Sequence, residues 1–263
     1  WELVLPELEE HHDVLALTLA GHAGGPEIAE GINEEAALDE IEMAMDAGAS
    51  ADRISYGNTI KKERDILRAF ELGIRLFAID CVEEAEKIGR VAPGSKVFCR
   101  VLTDGEGAEW PLSRKFGCAP SMAIDVLRHA KALNLTPWGV SFHVGSQQVN
   151  LDAWDRALAD AKMVFATLGE EGIVLGLVNM GGGFPTRYLK DVPSAQSYGQ
   201  AIFGYLRKHF GNVLPETIIE PGRGMVGNAG TIKTEVVLIS KKADNDNQRW
   251  VFLDIGKFGG LAE

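Results

Sequence analysis

The chain has 263 residues, of which 46% are hydrophobic and 24% are charged, a composition typical of a globular protein with one large domain or slightly more. Its 26 basic and 38 acidic residues give a formal net charge of -12, which argues against nucleic acid or an anionic membrane as a partner. Three cysteines without a CxxC spacing, and an N-terminal stretch without a signal-peptide pattern, predict a cytoplasmic protein with reduced thiols.

Short apolar runs alternate with amphipathic stretches along most of the chain. In the amphipathic stretches, such as 60–73, 81–94 and 151–172, apolar residues recur every three to four positions, as in helices. The apolar runs are 13–21, 53–58, 74–80, 96–102, 138–144, 175–181 and 216–222. This alternation predicts an α/β fold, and its even spacing favours an incomplete (β/α)8-type barrel with seven recognisable strands over an open doubly wound sheet.

Polar residues and glycines stand at the carboxyl ends of these runs, where barrels of this kind place their functional groups. They are Asn58, Asp80, Arg100, His143, Gly181, Gly182, Gly183, Glu220 and Arg223. Asp80 has an alternative interpretation as the N-cap of the helix that follows it, and His143 as a buried, hydrogen-bonded histidine.

The pattern changes after the last of these runs. Residues 231–240 and 249–256 are rich in β-branched and aromatic residues and are joined by a polar turn. We therefore expect a barrel over residues 39–230 and, over 231–263, a β-hairpin that is the remnant of a second domain.

Six motifs resemble one family in their order along the chain. They are RISYGNTIKKERDI (53–66), WPLSRKFG (110–117), VSFHVGSQQ (140–148), NMGGGFP (179–185), EPGRGMVGNAG (220–230) and LDIGKFGGLAE (253–263). From about residue 40 onward the chain resembles the barrel domain of the pyridoxal-phosphate (PLP)-dependent ornithine/lysine/diaminopimelate decarboxylases, which have an alanine-racemase-like fold. The resemblance implies that the chain is truncated before the C-terminal β domain of that family.

The resemblance assigns roles to the residues at the carboxyl ends of the strands. It implies that His143 stacks on the pyridine ring of PLP, that Arg100 lies beneath the ring, and that Glu220 pairs with the pyridine nitrogen. It also implies that Ser146, Arg223 and the backbone of Gly181, Gly182 and Gly183 hold the phosphate. Glycines that let N–H groups approach an anion, and a guanidinium group, are suited to that task.

The chain departs from this family in its opening segment. The resemblance implies a lysine on the first strand that holds the cofactor as a Schiff base, yet the first lysine here is Lys61, and Thr18 stands near the place where a lysine would be sought. We interpret Lys61 and Lys62 as an ordinary feature of a helix start, with a substitute role as the alternative.

Residues 1–38 resemble a fragment of an α/β-hydrolase, although no G-x-S-x-G nucleophile motif occurs in the chain. We expect this segment to supply one helix and one barrel strand (13–21) in the place of the second strand. The barrel would then lack its first strand and have unpaired edges, which either the C-terminal hairpin or a second copy of the chain could cover, and we therefore expect a homodimer or larger homo-oligomer.

Three functional hypotheses follow. The first is a metal-assisted hydrolase of phosphate-type esters such as phosphotriesters, with zinc or a similar ion held by His22, His143, Asp80 and Glu220, the last three as its catalytic residues. The second is a vestigial decarboxylase-like lyase that binds PLP or a phosphate anion only weakly. The third is a folded fragment without catalysis. In the first two, the partner is a small molecule.

Overall fold

The computed structural model of the protein describes residues 36–110 and 115–256, with the backbone alone at 36–40 and 110. The strand predicted at 13–21, the hydrolase-like segment, Thr18 and His22 therefore lie outside the described residues, as does most of the last motif.

Six parallel strands form one sheet. In spatial order they are β1 (Ser55–Tyr56), β2 (Leu76–Ile79), β3 (Lys96–Arg100), β5 (Thr136–Ser141), β7 (Leu177–Asn179) and β8 (Glu216–Ile218). Each overlaps an apolar run of the sequence, although β5 begins two residues before its run, and neighbours in space follow one another along the chain within this set of six. The prediction of an α/β, barrel-type fold that is incomplete is confirmed, since the sheet is a half-barrel.

Six helices alternate with these strands. They are α1 (Ala36–Asp46), α2 (Glu63–Glu71), α3 (Val82–Val91), α4 (Pro120–Ala132), α5 (Asp152–Glu170) and α6 (Ala195–Phe210). A short antiparallel pair, β4 (Ala108–Trp110) with β6 (Ser146–Gln148), and a single-turn helix α7 (Gly222–Val226) complete this part of the chain. Within the described ranges, no helix combines the length and the hydropathy that a membrane span requires.

Alternation of side chains along the strands separates two faces of the sheet. Phe77, Val97 and Val178 belong to the large core that also contains the buried residues of the helices. Their neighbours Ala78, Phe98 and Leu177 form a smaller cluster on the other, barrel-interior face. Each residue that follows a helix-facing residue along a strand therefore points into the barrel. This alternation decides which polar side chains at the strand ends lie close together.

An aromatic cluster packs the segment after β7 against the helices. The ring of Trp154 on α5 lies 5.2 Å from that of Phe184 and 5.5 Å from that of Tyr198 on α6. The Tyr198 hydroxyl also donates to the carbonyl of Gln148, at 2.7 Å. These contacts hold the segment that begins with the three glycines close to the carboxyl end of β5.

The chain from Val226 onward is a separate compact unit, described by itself. It contains the antiparallel pair β9 (Val236–Ser240) and β10 (Trp250–Leu253), which confirms the predicted C-terminal hairpin. Nearly every residue of both strands is exposed, including the large apolar ones. A two-stranded hairpin has no core of its own in which to bury them.

Candidate cofactor site

A cleft opens at the carboxyl ends of the parallel strands. Its lining residues come from five strands or the loops that follow them and are Gly57, Phe98, Arg100, Ser141, Phe142, His143, Asn179 and Glu220. Arg100, Ser141 and Asn179 form a row across three neighbouring strands, because Arg100 is paired in register with Ser141 and Ser141 with Asn179. The sheet thus brings together Arg100, His143 and Glu220, as expected from the sequence, and adds Ser141 and Asn179, which the sequence analysis missed.

Asn179 connects Glu220 to the glycine segment. Its side chain is 1% exposed, its Nδ2 donates to Glu220 Oε1 at 2.7 Å, and its Oδ1 accepts from the Gly181 amide at 3.0 Å. A sequence signal for Asn179 did exist, since it stands two positions after the inward-facing Leu177 at the end of β7. Glu220 itself is exposed, so its carboxylate is available to a ligand.

The glycine segment leaves no room for side chains. Gly181 has φ +62°, and a Cβ there would lie 2.1 Å from the carbonyl oxygen of Phe142. At Gly182 a Cβ would lie 2.6 Å from the Glu220 carbonyl oxygen and 3.0 Å from His143 Nε2. The absence of Cβ atoms lets this backbone approach both β5 and the loop after β8, and leaves its surface open to an anion.

The residues expected to bind phosphate border this segment. A Cβ at Gly183 would lie 2.5 Å from the carbonyl oxygen of Gly145, next to the half-buried Ser146. Arg223 is half-buried on α7, and the neighbouring Gly224 packs against Phe184, because a Cβ there would lie 2.9 Å from Phe184 Cβ. The fold therefore places both Ser146 and Arg223 close to the C-terminal end of the glycine segment, at Gly183 and Phe184.

His143 presents a neutral ring to the cleft. Its Nδ1 accepts a hydrogen bond from the Gly145 amide at 3.0 Å, and its carbonyl accepts from Thr103 Oγ1 at 2.7 Å. Burial lowers the pKa of the imidazole, the positive charge of Arg100 lowers it further, and Glu220 opposes both effects in part. An uncharged ring at neutral pH is suited to stacking on a flat ligand.

Arg100 lies at the end of β3 with its guanidinium carbon 5.7 Å from the ring centre of Phe116. Burial lowers the pKa of this guanidinium group, and the nearby carboxylates of Glu220 and Asp80 oppose the shift. The residue remains cationic because an arginine pKa lies far above neutrality.

Asp80 has a different role from those expected. The N-cap of α3 is Cys81, so the interpretation of Asp80 as that cap is wrong. Instead, Asp80 Oδ2 accepts from the Gly117 amide at 2.8 Å, which ties the segment before α4 to the end of β2. This bond holds the chain next to Phe116, the aromatic neighbour of Arg100.

The metal hypothesis is without support in the structure. Among residues 36–110 and 115–256, no three His, Cys, Asp or Glu side chains come together as a metal site, and His22 lies outside these ranges. His143, Asp80 and Glu220 do not converge because Asp80 is fastened to Gly117 whereas Glu220 bonds to Asn179.

Lys61 is buried, and its amine is bonded to groups within the protein. Its Nζ donates to the carbonyls of Asn58 (2.8 Å) and Ala78 (2.6 Å) and forms an ion pair with Glu84 at 3.0 Å. Burial lowers the pKa of this amine to about 8, although the Glu84 carboxylate raises it. All three N–H donors are engaged, which favours the helix-start interpretation over a substitute for the missing lysine.

Comparison with known proteins decides the family. Residues 29–227 match the family model described as "Pyridoxal-dependent decarboxylase, pyridoxal binding domain". The chain belongs to this family of pyridoxal-dependent decarboxylases. The resemblance found in the motifs is thereby confirmed.

Individual members of the decarboxylase family are similar over most of the chain. A lysine/ornithine decarboxylase from Selenomonas ruminantium is 31% identical over 85% of this chain and 56% of its own length. The protein named antizyme inhibitor 2 from Xenopus laevis is 31% identical over 86% of this chain and 52% of its own. The crystal structure of a lysine/ornithine decarboxylase from Vibrio vulnificus complexed with putrescine superposes with a TM-score of 0.70, at 29% identity, over 85% of this chain and 58% of that one. The chain thus spans a little over half the length of these relatives.

Membership of this decarboxylase family overturns the leading functional hypothesis. The prediction of a metal-assisted phosphotriester hydrolase is wrong, because both the family model and the similar proteins are of the pyridoxal-dependent decarboxylase type. Polar groups at a barrel mouth suit many chemistries, so residue types alone were an insufficient basis for choosing hydrolysis. The second hypothesis, a decarboxylase-like binder of PLP, agrees better with these comparisons.

Proposed function

We propose that this chain supplies the PLP-binding barrel of a decarboxylase-like protein and holds the cofactor without a covalent bond to a lysine of its own. The observation that carries the proposal is the row of Arg100, Ser141 and Asn179, which meets Glu220 and His143 beside a glycine segment that excludes every Cβ.

The donor set fits the two ends of PLP. At the ring end, the Glu220 carboxylate is an acceptor for a protonated pyridine nitrogen, and the neutral His143 ring offers a stacking face. At the phosphate end, Ser146, Arg223 and the amides of the glycine segment are donors to an anion. When bound, PLP supplies an electron sink for carbanion chemistry at an amino acid.

We expect weak or absent turnover by this chain on its own, because the amine of Lys61 is engaged by three acceptors inside the protein and is not available for a Schiff base. A second candidate function, a decarboxylase-like protein without catalysis, is favoured by the same observation. The similarity to a protein named antizyme inhibitor 2, a name that is not that of a decarboxylase, is in keeping with it.

A titration with PLP tests the proposal. We expect saturable binding with a Kd near the micromolar range, seen as quenching of tryptophan fluorescence and competed by inorganic phosphate. Glu220→Gln is expected to weaken binding roughly tenfold, through loss of a charge-assisted hydrogen bond. Glu216→Gln, at an exposed position on β8, is the matched control with unchanged affinity.

Two further measurements test the absence of turnover and the noncovalent mode of binding. With saturating PLP, release of CO₂ from ornithine, lysine or diaminopimelate is expected to stay at background. After borohydride treatment, intact mass is expected to be unchanged. A lysine that gains the mass of a reduced pyridoxyl group would contradict noncovalent binding, and absence of saturable PLP binding would overturn the proposed function altogether.

We also propose that the chain forms a homo-oligomer. Among the described strands, β1 and β8 each have a single hydrogen-bonded neighbour in the sheet, so within the described residues both edges carry unpaired backbone groups of the kind that proteins usually cover. Light scattering coupled to size exclusion is expected to give at least twice the chain mass of 28.5 kDa. A mass of one chain across micromolar concentrations would count against it.

A further inference from the structure

We infer that Asn179 is a positioning residue that holds Glu220 and the glycine segment in one arrangement, and so couples the ring end of the ligand site to its phosphate end. The inference rests on the proposed function for the identity of the ligand, whereas the arrangement itself is a property of the free protein.

Three hydrogen bonds form a closed circuit around Asn179. The Gly181 amide donates to Asn179 Oδ1 at 3.0 Å, and Asn179 Nδ2 donates to Glu220 Oε1 at 2.7 Å. The Glu220 amide donates to the Gly181 carbonyl at 2.8 Å and completes the ring. Because Gly181 is bonded both to Asn179 and to the Glu220 backbone, a shift of the glycine backbone would break its contacts with both residues, and the Glu220 carboxylate is joined to it through Asn179.

Asn179 and Gly181 are the buried members of the circuit, whereas Glu220 is exposed. Asn179 is 1% exposed, and its strand is hydrogen-bonded on both sides, to β5 and to β8. Since water has little access to the amide group, a broken bond there has no ready replacement and costs more than it would at the surface.

The carboxamide group is what this position requires. It offers a donor and an acceptor on one short side chain, so it satisfies Glu220 and the Gly181 amide together. It also carries no charge, so one Glu220 oxygen is fixed while the other stays available to a ligand. A carboxylate in its place would keep the acceptor for the Gly181 amide but offer no donor to Glu220, and its like charge would repel the Glu220 carboxylate.

Two variants separate the two contacts. Asn179→Leu removes both bonds and keeps the branching at Cγ, although the leucine side chain is larger, and Asn179→Asp keeps the acceptor for the Gly181 amide while losing the donor to Glu220. The probes are inorganic phosphate, followed by ³¹P line broadening, and unphosphorylated pyridoxal, followed by saturation-transfer NMR. Asn150→Asp is the matched control, because Asn150 Oδ1 accepts from the Asp152 amide at the start of α5 and does not line the cleft.

The two variants are expected to change the affinities for the two probes differently. Asn179→Leu weakens both probes roughly tenfold, the effect of a lost hydrogen bond to a buried or charged group. Asn179→Asp keeps the wild-type affinity for phosphate and weakens only pyridoxal, and Asn150→Asp changes neither. A purely structural role for Asn179 would instead weaken both probes together in both variants, and that result, or wild-type affinity in a folded Leu variant, would overturn the inference.

Hydrogen exchange in the ligand-free protein tests the arrangement independently of ligand. The Gly181 amide is expected to be protected in the wild type and in Asn179→Asp and to exchange faster in Asn179→Leu. If the Leu variant does not fold, loss of protection in the Asp variant alone refutes the circuit. If the wild type binds neither probe, the proposed function fails, and the exchange pattern still decides the role of Asn179.

Discussion

Replacing Gly181 by alanine is expected to lower the free energy of unfolding by about 2–5 kcal/mol and to abolish PLP and phosphate binding. Two costs add. Gly181 has φ +62°, a conformation that side chains disfavour, and the new Cβ would lie 2.1 Å from the Phe142 carbonyl oxygen and 3.2 Å from His143 Cα. These are backbone atoms at the end of β5, so relief of the clash requires the glycine segment to move away from the sheet.

Gly94→Ala is the matched control. Gly94 has φ +76°, yet a Cβ there would meet nothing within 4 Å, so the substitution adds only the conformational cost of about 1–2 kcal/mol. Guanidinium chloride unfolding of the two variants, with PLP titration of each, isolates the steric contribution. Equal destabilisation by both substitutions, or retained ligand binding in Gly181→Ala, would show that the close approach to β5 is not needed.

Lys61→Met is expected to cost roughly 3 kcal/mol of unfolding free energy. The Lys61–Glu84 ion pair is buried, with side chains 0% and 2% exposed, and the Glu84 carboxylate would be left in the interior. Lys87, whose Nζ lies 2.6 Å from Glu84 Oε2, still neutralises part of that charge, so the cost stays near the lower end for a broken buried pair. Chemical denaturation at pH 7 measures it.

The exposed pair between Arg90 and Glu63 is the matched control. Their side chains are 56% and 43% exposed and join α3 to α2, so Arg90→Ala is expected to cost at most about 1 kcal/mol. The double variant Lys61→Met/Glu84→Leu is expected to recover most of the loss, because it removes the stranded carboxylate. A double variant no more stable than Lys61→Met would contradict this explanation.

The same lysine predicts a pH dependence. Burial lowers the pKa of Lys61 from 10.5 to about 8, so between these values the unfolded chain binds more protons than the folded one. The unfolding free energy of the wild type should therefore rise relative to that of Lys61→Met as the pH increases from about 8 to 10.5. A constant difference across this window would mean that the folded lysine keeps its ordinary pKa.

Much of the architecture could be predicted from local patterns. The run KVFCRVL at 96–102 became β3, with Val97 and Cys99 toward the helices and Phe98 and Arg100 toward the barrel, because alternation is a local property of an extended backbone. The glycines at 181–183 and His143 were likewise recognisable, since they stand at the carboxyl ends of apolar runs.

The choice of chemistry could not be made in the same way. The four residues assigned to a metal were selected because each follows a predicted strand, and that criterion contains no distances between side chains. Family membership, which rests on the order of many motifs along 199 matched residues (29–227), was the stronger guide.

The sequence by itself determined the order of strands and helices, the face of each strand that turns inward, and the family, because these depend on residues close together along the chain or on motifs in their linear order. Only the tertiary structure decided that Asn179 bonds to Glu220, 41 residues away, that Asp80 holds Gly117, and that Lys61 is engaged within the protein. Such contacts depend on the register between neighbouring strands and on the path of the loops at their ends, which are set by the packing of the whole sheet rather than by any local run of residues.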